Sequence, residues 1–156
     1  MKRFEITTEP LSLDEVAARL VQRSAGCVTA FVGVVRGETG GRETRYLLYE
    51  AYPEMAEEQM GQIGDEVRER WPSVEEVAIV HRIGRLEIGE TIVVVAVSSA
   101  HRQDTFAAAH YAIDRLKEVV PIWKKEVWED GEAWKSEQHV GSSWGVPPQE
   151  DDPARE

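Results

Sequence analysis

The chain has 156 residues and a formal net charge of −11 at pH 7, and this length is enough for one domain whose core needs no disulfide or metal. Hydrophobic residues make up 42% and charged residues 30%, which is typical of a soluble globular protein. The negative charge argues against broad binding to nucleic acid or to an anionic membrane surface. No apolar run reaches the ~20 residues of a membrane span, and the first residues lack the apolar segment of a secretion signal, so we expect a cytoplasmic protein.

The first elements are predicted to be a strand, a helix and a second strand. The opening strand is Phe4–Thr7, and Ser12 with Glu15 fits a capping box in front of a helix that should run to about Arg23. The apolar run Cys27–Val35 is rich in β-branched residues and long enough to be a central strand.

Cys27 is the only cysteine and lies in this apparently buried strand. It can form no internal disulfide, and we expect it to pack in the core instead of acting as an exposed nucleophile. One cysteine and four scattered histidines show no metal-ligand spacing. We therefore expect neither a metal nor a cofactor.

A polar loop with three glycines, Gly37–Thr44, follows the second strand. It lacks the lysine and trailing Ser/Thr of a nucleotide P-loop, so we exclude an ATP site. Arg36, at the exit of the strand, is either an anion ligand or a solvated strand-end residue. His81 and Arg82 lie close to a later turn and receive no site role.

The middle of the chain predicts a strand at Tyr46–Tyr52 and a helix that begins at Pro53. The apolar stripe of this helix consists of Ala56, Met60, Ile63, Val67 and Trp71. A strand at Val77–His81 follows, and the two glycines in residues 83–89 make a turn before the strand Thr91–Val97.

The stretch Ser99–Glu126 is dense in cations. Apolar residues recur there at helical spacing, namely Phe106, Ala109, Ile113, Leu116 and Val120. Pro121 should end this helix because it lacks an N–H and its ring clashes with the preceding turn. A short strand, Ile122–Val127, should then place Lys124 and Glu126 on one face and Lys125 on the other.

Lys117 and Lys124 therefore flank one turn, which can aim both ammonium groups at one anionic ligand. His101 and Arg102, at the end of the preceding strand, are candidates for the same ligand. Each of these residues taken alone is more often a solvated surface group, and the argument for a site depends on the cluster.

The predicted elements alternate between strands and helices, and short loops can close neighbouring strands as hairpins. This favours an α+β fold, a mostly antiparallel sheet packed with about three helices, over a doubly wound parallel sheet. We expect a single domain over residues 1–140, with a last short strand at Ala133–Lys135. Residues 141–156 are acidic and rich in Gly, Ser and Pro, and we expect them to form a disordered tail.

Five motifs in order resemble the catalytic large subunit of molybdopterin synthase. They are Phe31-Val-Gly-Val-Val-Arg36, Leu48-Tyr-Glu-Ala-Tyr-Pro-Glu-Met55, Val80-His-Arg-Ile-Gly84, Ser99-Ala-His-Arg102, and Leu116-Lys117 followed by Pro121-Ile-Trp-Lys-Lys-Glu126. The likeness runs in register from about Phe4 to Lys135. It implies an α/β-hammerhead-like fold.

The resemblance also implies a sulfurtransferase of molybdenum cofactor biosynthesis, which converts cyclic pyranopterin monophosphate to molybdopterin by adding two sulfurs. The sulfur would arrive as a thiocarboxylate on the Gly-Gly end of a small ubiquitin-like carrier subunit. This chain ends in Ala154-Arg-Glu156, so we do not expect it to be the carrier itself. The resemblance implies a homodimer within a heterotetramer, with a pterin site that receives residues from both large subunits.

The residues that match the family's substrate-binding positions are Arg36, His101, Arg102, Lys117, Lys124 and Lys125. The resemblance assigns catalysis to Lys117 and Lys124, and Lys117 matches the most critical lysine. Val34 stands where the family often has a basic residue, so a contact from that side chain is absent here.

Two other functions are compatible with parts of the sequence. The cationic cluster suits a non-catalytic module that binds a phosphorylated metabolite or an acidic peptide. A hydrolase that uses the abundant carboxylates has no spaced pair of acids in its favour.

Overall fold

The computed structural model describes residues 2–136, and the expected tail at 141–156 lies outside them. The described residues form three α-helices and nine strands. The helices are α1 (Leu13–Ala18), α2 (Pro53–Arg70) and α3 (Thr105–Val119). The strands are β1 (Phe4–Thr7), β2 (Cys27–Val34), β3 (Glu38–Thr39), β4 (Arg42–Ala51), β5 (Val74–Arg82), β6 (Gly84–Glu87), β7 (Thr91–Ser99), β8 (Ile122–Trp128) and β9 (Gly131–Ser136).

The first sheet has the strand order β1-β5-β7-β2. Only the pair β1–β5 is parallel, and both β5 and β2 run antiparallel to β7. The second sheet has the order β3-β4-β8-β9, with β6 also paired to β4, and all of its pairings are antiparallel. The expected α+β fold with a mostly antiparallel sheet and three helices is confirmed.

Alternation along β5 and β7 gives the first sheet two buried faces. Ile79 and Val95 face the main core together with α2, α3 and residues of the second sheet. Val80 and Val94 face a smaller cluster that α1 covers with Val16. The near-continuous apolar run of β7 is therefore explained by burial on both sides.

Helices α2 and α3 are joined by a polar network at their surface. The Arg115 guanidinium donates to both carboxylate oxygens of Glu66, at 3.1 and 3.2 Å, and the Tyr111 hydroxyl donates to Glu66 at 2.9 Å. The hydrogen bond from Arg115 lowers the pKa of Glu66, while burial raises the pKa of Tyr111. None of these three residues is among those predicted for the site.

Several local predictions are confirmed. The Ser12 hydroxyl accepts a hydrogen bond from the backbone N–H of Glu15 at 3.3 Å, as the capping box requires. Pro53 begins α2, and α3 ends at Val119, two residues before Pro121. The helix α1 is shorter than expected and stops at Ala18.

The strand β2 was predicted to be central, but it is an edge strand of the first sheet. Its apolar residues are therefore less buried than expected, and Phe31 and Val34 are 40% and 49% exposed. Cys27 is half-buried, and its thiol lies 3.5 Å from the Ser99 carbonyl oxygen. The strands β3 and β6 were not predicted, because each is very short and lies in a glycine-containing segment that reads as a turn.

None of the helices in residues 2–136 is both long and apolar enough to cross a membrane.

Candidate functional site

A cavity of about 340 Å³ opens where the second sheet meets β2 and the C-terminal end of α3. Three of the predicted site residues line it together: Arg36, Lys117 and Lys124. They come from a loop, a helix and a strand that are far apart in the chain. The fold therefore brings these cations to one place.

Arg36 is placed by the end of β2. The Val35 N–H donates to the Glu90 carbonyl at 3.0 Å, and the Gly89 N–H donates to the Val35 carbonyl at 2.9 Å. These two bonds fix the backbone immediately before Arg36, whose own side chain is exposed at the mouth of the cavity.

Lys117 lies in the last turn of α3. Its neighbour Leu116 is buried and anchors that turn on the core, and the Val120 N–H closes it on the Leu116 carbonyl at 3.1 Å. A cation at this position interacts favourably with the negative end of the helix dipole. Lys117 is half-buried and also borders a shallower groove between α3 and β2.

Lys124 lies on β8 opposite Tyr49 of β4. Its ammonium group is 3.7 Å from a carboxylate oxygen of Glu126, two residues further along the same face, and both residues line the cavity. Lys125 lies on the opposite face, where it pairs with Glu132 at 3.0 Å and lies 5.7 Å from the centre of the Trp134 ring. The predicted alternation of β8 is confirmed, and Lys125 does not line the cavity.

His101 and Arg102 lie at the other end of the first sheet, and both are exposed. The β2–β7 ladder pairs Cys27 with Ser99 at one end and Val34 with Thr91 at the other. Seven residues of strand separate these ends, a distance of roughly 20 Å. Within one chain, His101 and Arg102 are therefore well separated from Arg36, Lys117 and Lys124.

The wall of the cavity also contains residues that the sequence analysis left without a role. His81 is buried, its Nδ1 lies 2.7 Å from the Arg82 carbonyl oxygen, and its ring meets that of Tyr49 edge-on at 5.1 Å. Because a carbonyl only accepts, Nδ1 carries the proton of this bond. Besides His81 and Tyr49, the buried Glu126 also lines the cavity. Alternation along a strand shows which face of that strand each of these residues lies on. Only the pairing of distant strands, such as β4 with β8, shows that these faces meet at one cavity.

No group of three or more His, Cys, Asp or Glu side chains within residues 2–136 is arranged to hold a metal ion. The chemistry available to the cavity is that of its cations, its carboxylate and its two buried rings. Such a cavity suits a small anionic ligand with a flat apolar part.

Comparison with known proteins gives the family of this fold and cavity. The model of the MoaE protein family matches residues 6–119, and the chain belongs to that family. The molybdopterin synthase catalytic subunit of Halalkalibacterium halodurans is 51% identical over 153 residues, which are 97% of each chain.

Solved structures agree with this assignment. A crystal structure of molybdopterin synthase from Staphylococcus aureus has 50% sequence identity and a TM-score of 0.83, and the match covers 86% of this chain and 98% of that one. A complex of subunits 1 and 2 of molybdopterin-converting factor from Helicobacter pylori has 19% identity and a TM-score of 0.69, with 86% and 92% coverage, and shares the fold.

Proposed function

We propose that this protein is the catalytic subunit of a molybdopterin synthase. It converts cyclic pyranopterin monophosphate to molybdopterin by transferring two sulfurs from the thiocarboxylated C-terminus of a small sulfur-carrier subunit. The observation that carries the proposal is the convergence of Arg36, Lys117 and Lys124 on one cavity, in a chain that belongs to the MoaE protein family. The expected cytoplasmic location remains part of this proposal.

The three cations have distinct tasks in this reaction. Arg36 and Lys124 hold the cyclic phosphate and stabilise the charge that develops as its ring opens. Lys117 is the best placed to move a proton, because it is half-buried at the end of α3 and points into the cavity. Lys125 stays a predicted substrate ligand whose contacts in one chain are with β9.

The sulfur comes from a partner. The only thiol of the chain, Cys27, lies at the end of β2 away from the cavity and contacts a backbone carbonyl. A small ubiquitin-like carrier that ends in a Gly-Gly thiocarboxylate fits this need. The structure of two subunits of molybdopterin-converting factor from Helicobacter pylori is in keeping with such a partner.

A second copy of the chain supplies His101 and Arg102. A two-fold axis that crosses β2 near its middle would carry the His101 end of one copy to the Arg36 end of the other. Among the strands of residues 2–136, β2 pairs only with β7 and so has one open edge. Phe31, Val34 and Phe106 beside it are exposed apolar residues of a kind that interfaces bury. The resulting homodimer with one carrier at each end is the proposed heterotetramer.

The test is single-turnover formation of molybdopterin with pre-thiocarboxylated carrier and saturating pterin. Lys117→Ala should lower the rate by about two orders of magnitude or more, the scale of positioned proton-transfer and charge-stabilising groups. Lys124→Ala should be milder and should also weaken pterin binding. Circular dichroism checks the fold of both variants.

The alternative is a module that binds a phosphorylated metabolite without turnover. Wild-type protein that binds the pterin but forms no molybdopterin with loaded carrier would support that module, as would near wild-type turnover in a well-folded Lys117→Ala variant.

A further inference from the structure

The turn that carries His101 and Arg102 joins the end of β7 to the start of α3. Under the proposed function it has to reach the cavity of a second copy, so its position relative to the dimer interface decides whether Arg102 meets the ligand. None of the residues Arg102–Asp104 is buried, so packing in the core does not fix the turn. Its position therefore depends on the hydrogen bonds that hold it.

The Arg102 carbonyl is held by Thr105. It accepts hydrogen bonds from the Thr105 N–H and from the Thr105 hydroxyl, the latter at 3.1 Å. Thr105 is 0% exposed, so water does not compete for its hydroxyl. Two donors from one residue fix the orientation of the Arg102 peptide, and with it the direction in which the Arg102 side chain leaves the turn.

The same hydroxyl links the turn to β2. The Oγ1 atoms of Thr29 and Thr105 are 2.7 Å apart. A hydroxyl has a single proton, and since that of Thr105 goes to the Arg102 carbonyl, Thr29 donates in this bond. Thr29 is the third of the eight residues of β2, the strand that the proposed two-fold axis crosses. Two hydroxyls therefore connect the interface strand directly to Arg102.

The side chains at the start of α3 hold this turn instead of capping the helix. An Asp or Thr at a helix start usually accepts a hydrogen bond from an N–H two or three residues further along the chain. Asp104, the residue before α3, makes no such bond, and its carboxylate accepts one from the Ser73 hydroxyl at 2.7 Å. The Thr105 hydroxyl donates backwards to Arg102. Both side chains therefore act on the segment before the helix.

We propose that Thr105, supported by Thr29, is a positioning residue that directs Arg102 across the dimer interface into the cavity of the partner copy. This role rests on the proposed function, in which two copies share each site. It differs from a purely structural role in one measurable respect. A defect at Thr105 damages the site in the partner copy and leaves the cavity of its own chain intact.

Homodimers measure the size of the effect by single-turnover molybdopterin formation. Thr105→Val keeps nearly the same side-chain shape but removes both hydroxyl bonds, and the rate should fall by about tenfold or more because Arg102 loses its fixed direction. Thr105→Ser keeps the hydroxyl and should stay within about threefold of wild type. Thr29→Val removes only the supporting bond, so its rate should lie between the two. It replaces Thr105→Val below if that variant does not fold.

Mixed dimers, purified over two affinity tags, show which site is damaged. A Thr105→Val copy combined with a Lys117→Ala copy leaves one site with an intact Lys117 and a correctly held Arg102, so activity should return to about half of wild type. A Thr105→Val copy combined with an Arg102→Ala copy leaves no intact site. Its activity should stay at or below about one tenth of wild type.

Ile79→Val is the matched control for lost stability. Ile79 is buried in the middle of β5, away from the end of the sheet that carries the turn. This variant loses packing in the core, but each of its mixed dimers, with Lys117→Ala or with Arg102→Ala, keeps one complete site. Both should therefore have about half of the wild-type activity.

Recovery in both Thr105→Val mixtures would mean that the residue is only structural, and recovery with Arg102→Ala alone would place its effect in its own chain. Either result overturns the inference, and so does a Thr105→Ser variant that is as slow as Thr105→Val. These results leave the proposed function in place as long as wild-type protein forms molybdopterin. A wild-type protein that forms none would remove the proposed function, and this role with it.

Discussion

Two inactive variants should restore activity when they are combined in one dimer. Arg102 lies roughly 20 Å from the group formed by Arg36 and Lys117, so one copy cannot supply all three to the same ligand. If each site takes Arg102 from one copy and Lys117 from the other, a dimer of Lys117→Ala with Arg102→Ala has one intact site and one doubly damaged site. The isolated mixed dimer should then have about half of the wild-type activity, whereas each variant alone has almost none.

The assay requires co-expression of the two variants with different affinity tags, purification of the mixed dimer over both tags, and single-turnover molybdopterin formation. A mixed dimer of Lys117→Ala with Arg36→Ala is the control. Both of these residues line one cavity of the same chain, so each site stays damaged and no activity should return. Recovery of activity in the control dimer would refute a site shared between two copies. So would a lack of recovery in the dimer of Lys117→Ala with Arg102→Ala.

Three further predictions concern other parts of the molecule. Cys27→Ser should leave turnover largely intact, measured in the same assay, because the thiol lies away from the cavity; a folded but inactive variant would mean that this sulfur takes part. Gly26→Ala should lower the free energy of unfolding by about 1–3 kcal/mol in urea titrations, because an added Cβ would overlap a backbone carbonyl at the end of β7. Gly61→Ala, where a Cβ has ordinary room in α2, should instead be neutral or stabilising, and equal losses in both variants would contradict the steric reason. Glu66→Gln should lower the free energy of unfolding by roughly 1 kcal/mol or less at pH 7, because solvent screens the half-exposed ion pair between Glu66 and Arg115. The hydrogen bond from Arg115 lowers the pKa of Glu66 in the folded state, so the stability that this carboxylate contributes is present above its ordinary pKa of 4.5 and is lost as the pH falls through the lowered pKa. The free energies of unfolding of the variant and the wild type should therefore approach each other as the pH is lowered below 4.5, and a difference that stays constant over that acid range would count against the ionic origin.

Local chemistry made much of the fold predictable. Ser12 caps a helix and Pro121 ends one by rules that involve only near neighbours in the chain. The alternation of β8 likewise followed from strand geometry, which placed Lys124 and Lys125 on opposite faces. Predictions of this kind need no knowledge of which strands pair.

The remaining features depend on pairing between distant segments. An apolar run such as β2 looks the same whether it is flanked by two strands or by one, so its edge position could not be predicted. The inward position of Glu126 and the remoteness of His101 from Lys117 depend on the β4–β8 and β2–β7 ladders in the same way. The resemblance implied the candidate positions and a site shared by two large subunits, but it did not show which of these positions lie together within one chain.

The parallel pairing of β1 with β5 constrains how the chain acquires its structure. Phe4 lies opposite Ile79, so β1 cannot pair until a strand that is synthesised 75 residues later is available. The ladders β2–β7 and β4–β8 join segments that are similarly remote. A topology dominated by such non-local pairs folds slowly, on the order of milliseconds to seconds, because loop closure precedes any gain from contact. On the ribosome, the first sheet cannot be completed until β7 has emerged, and the apolar segments of β1 and β2 remain available to chaperones until then.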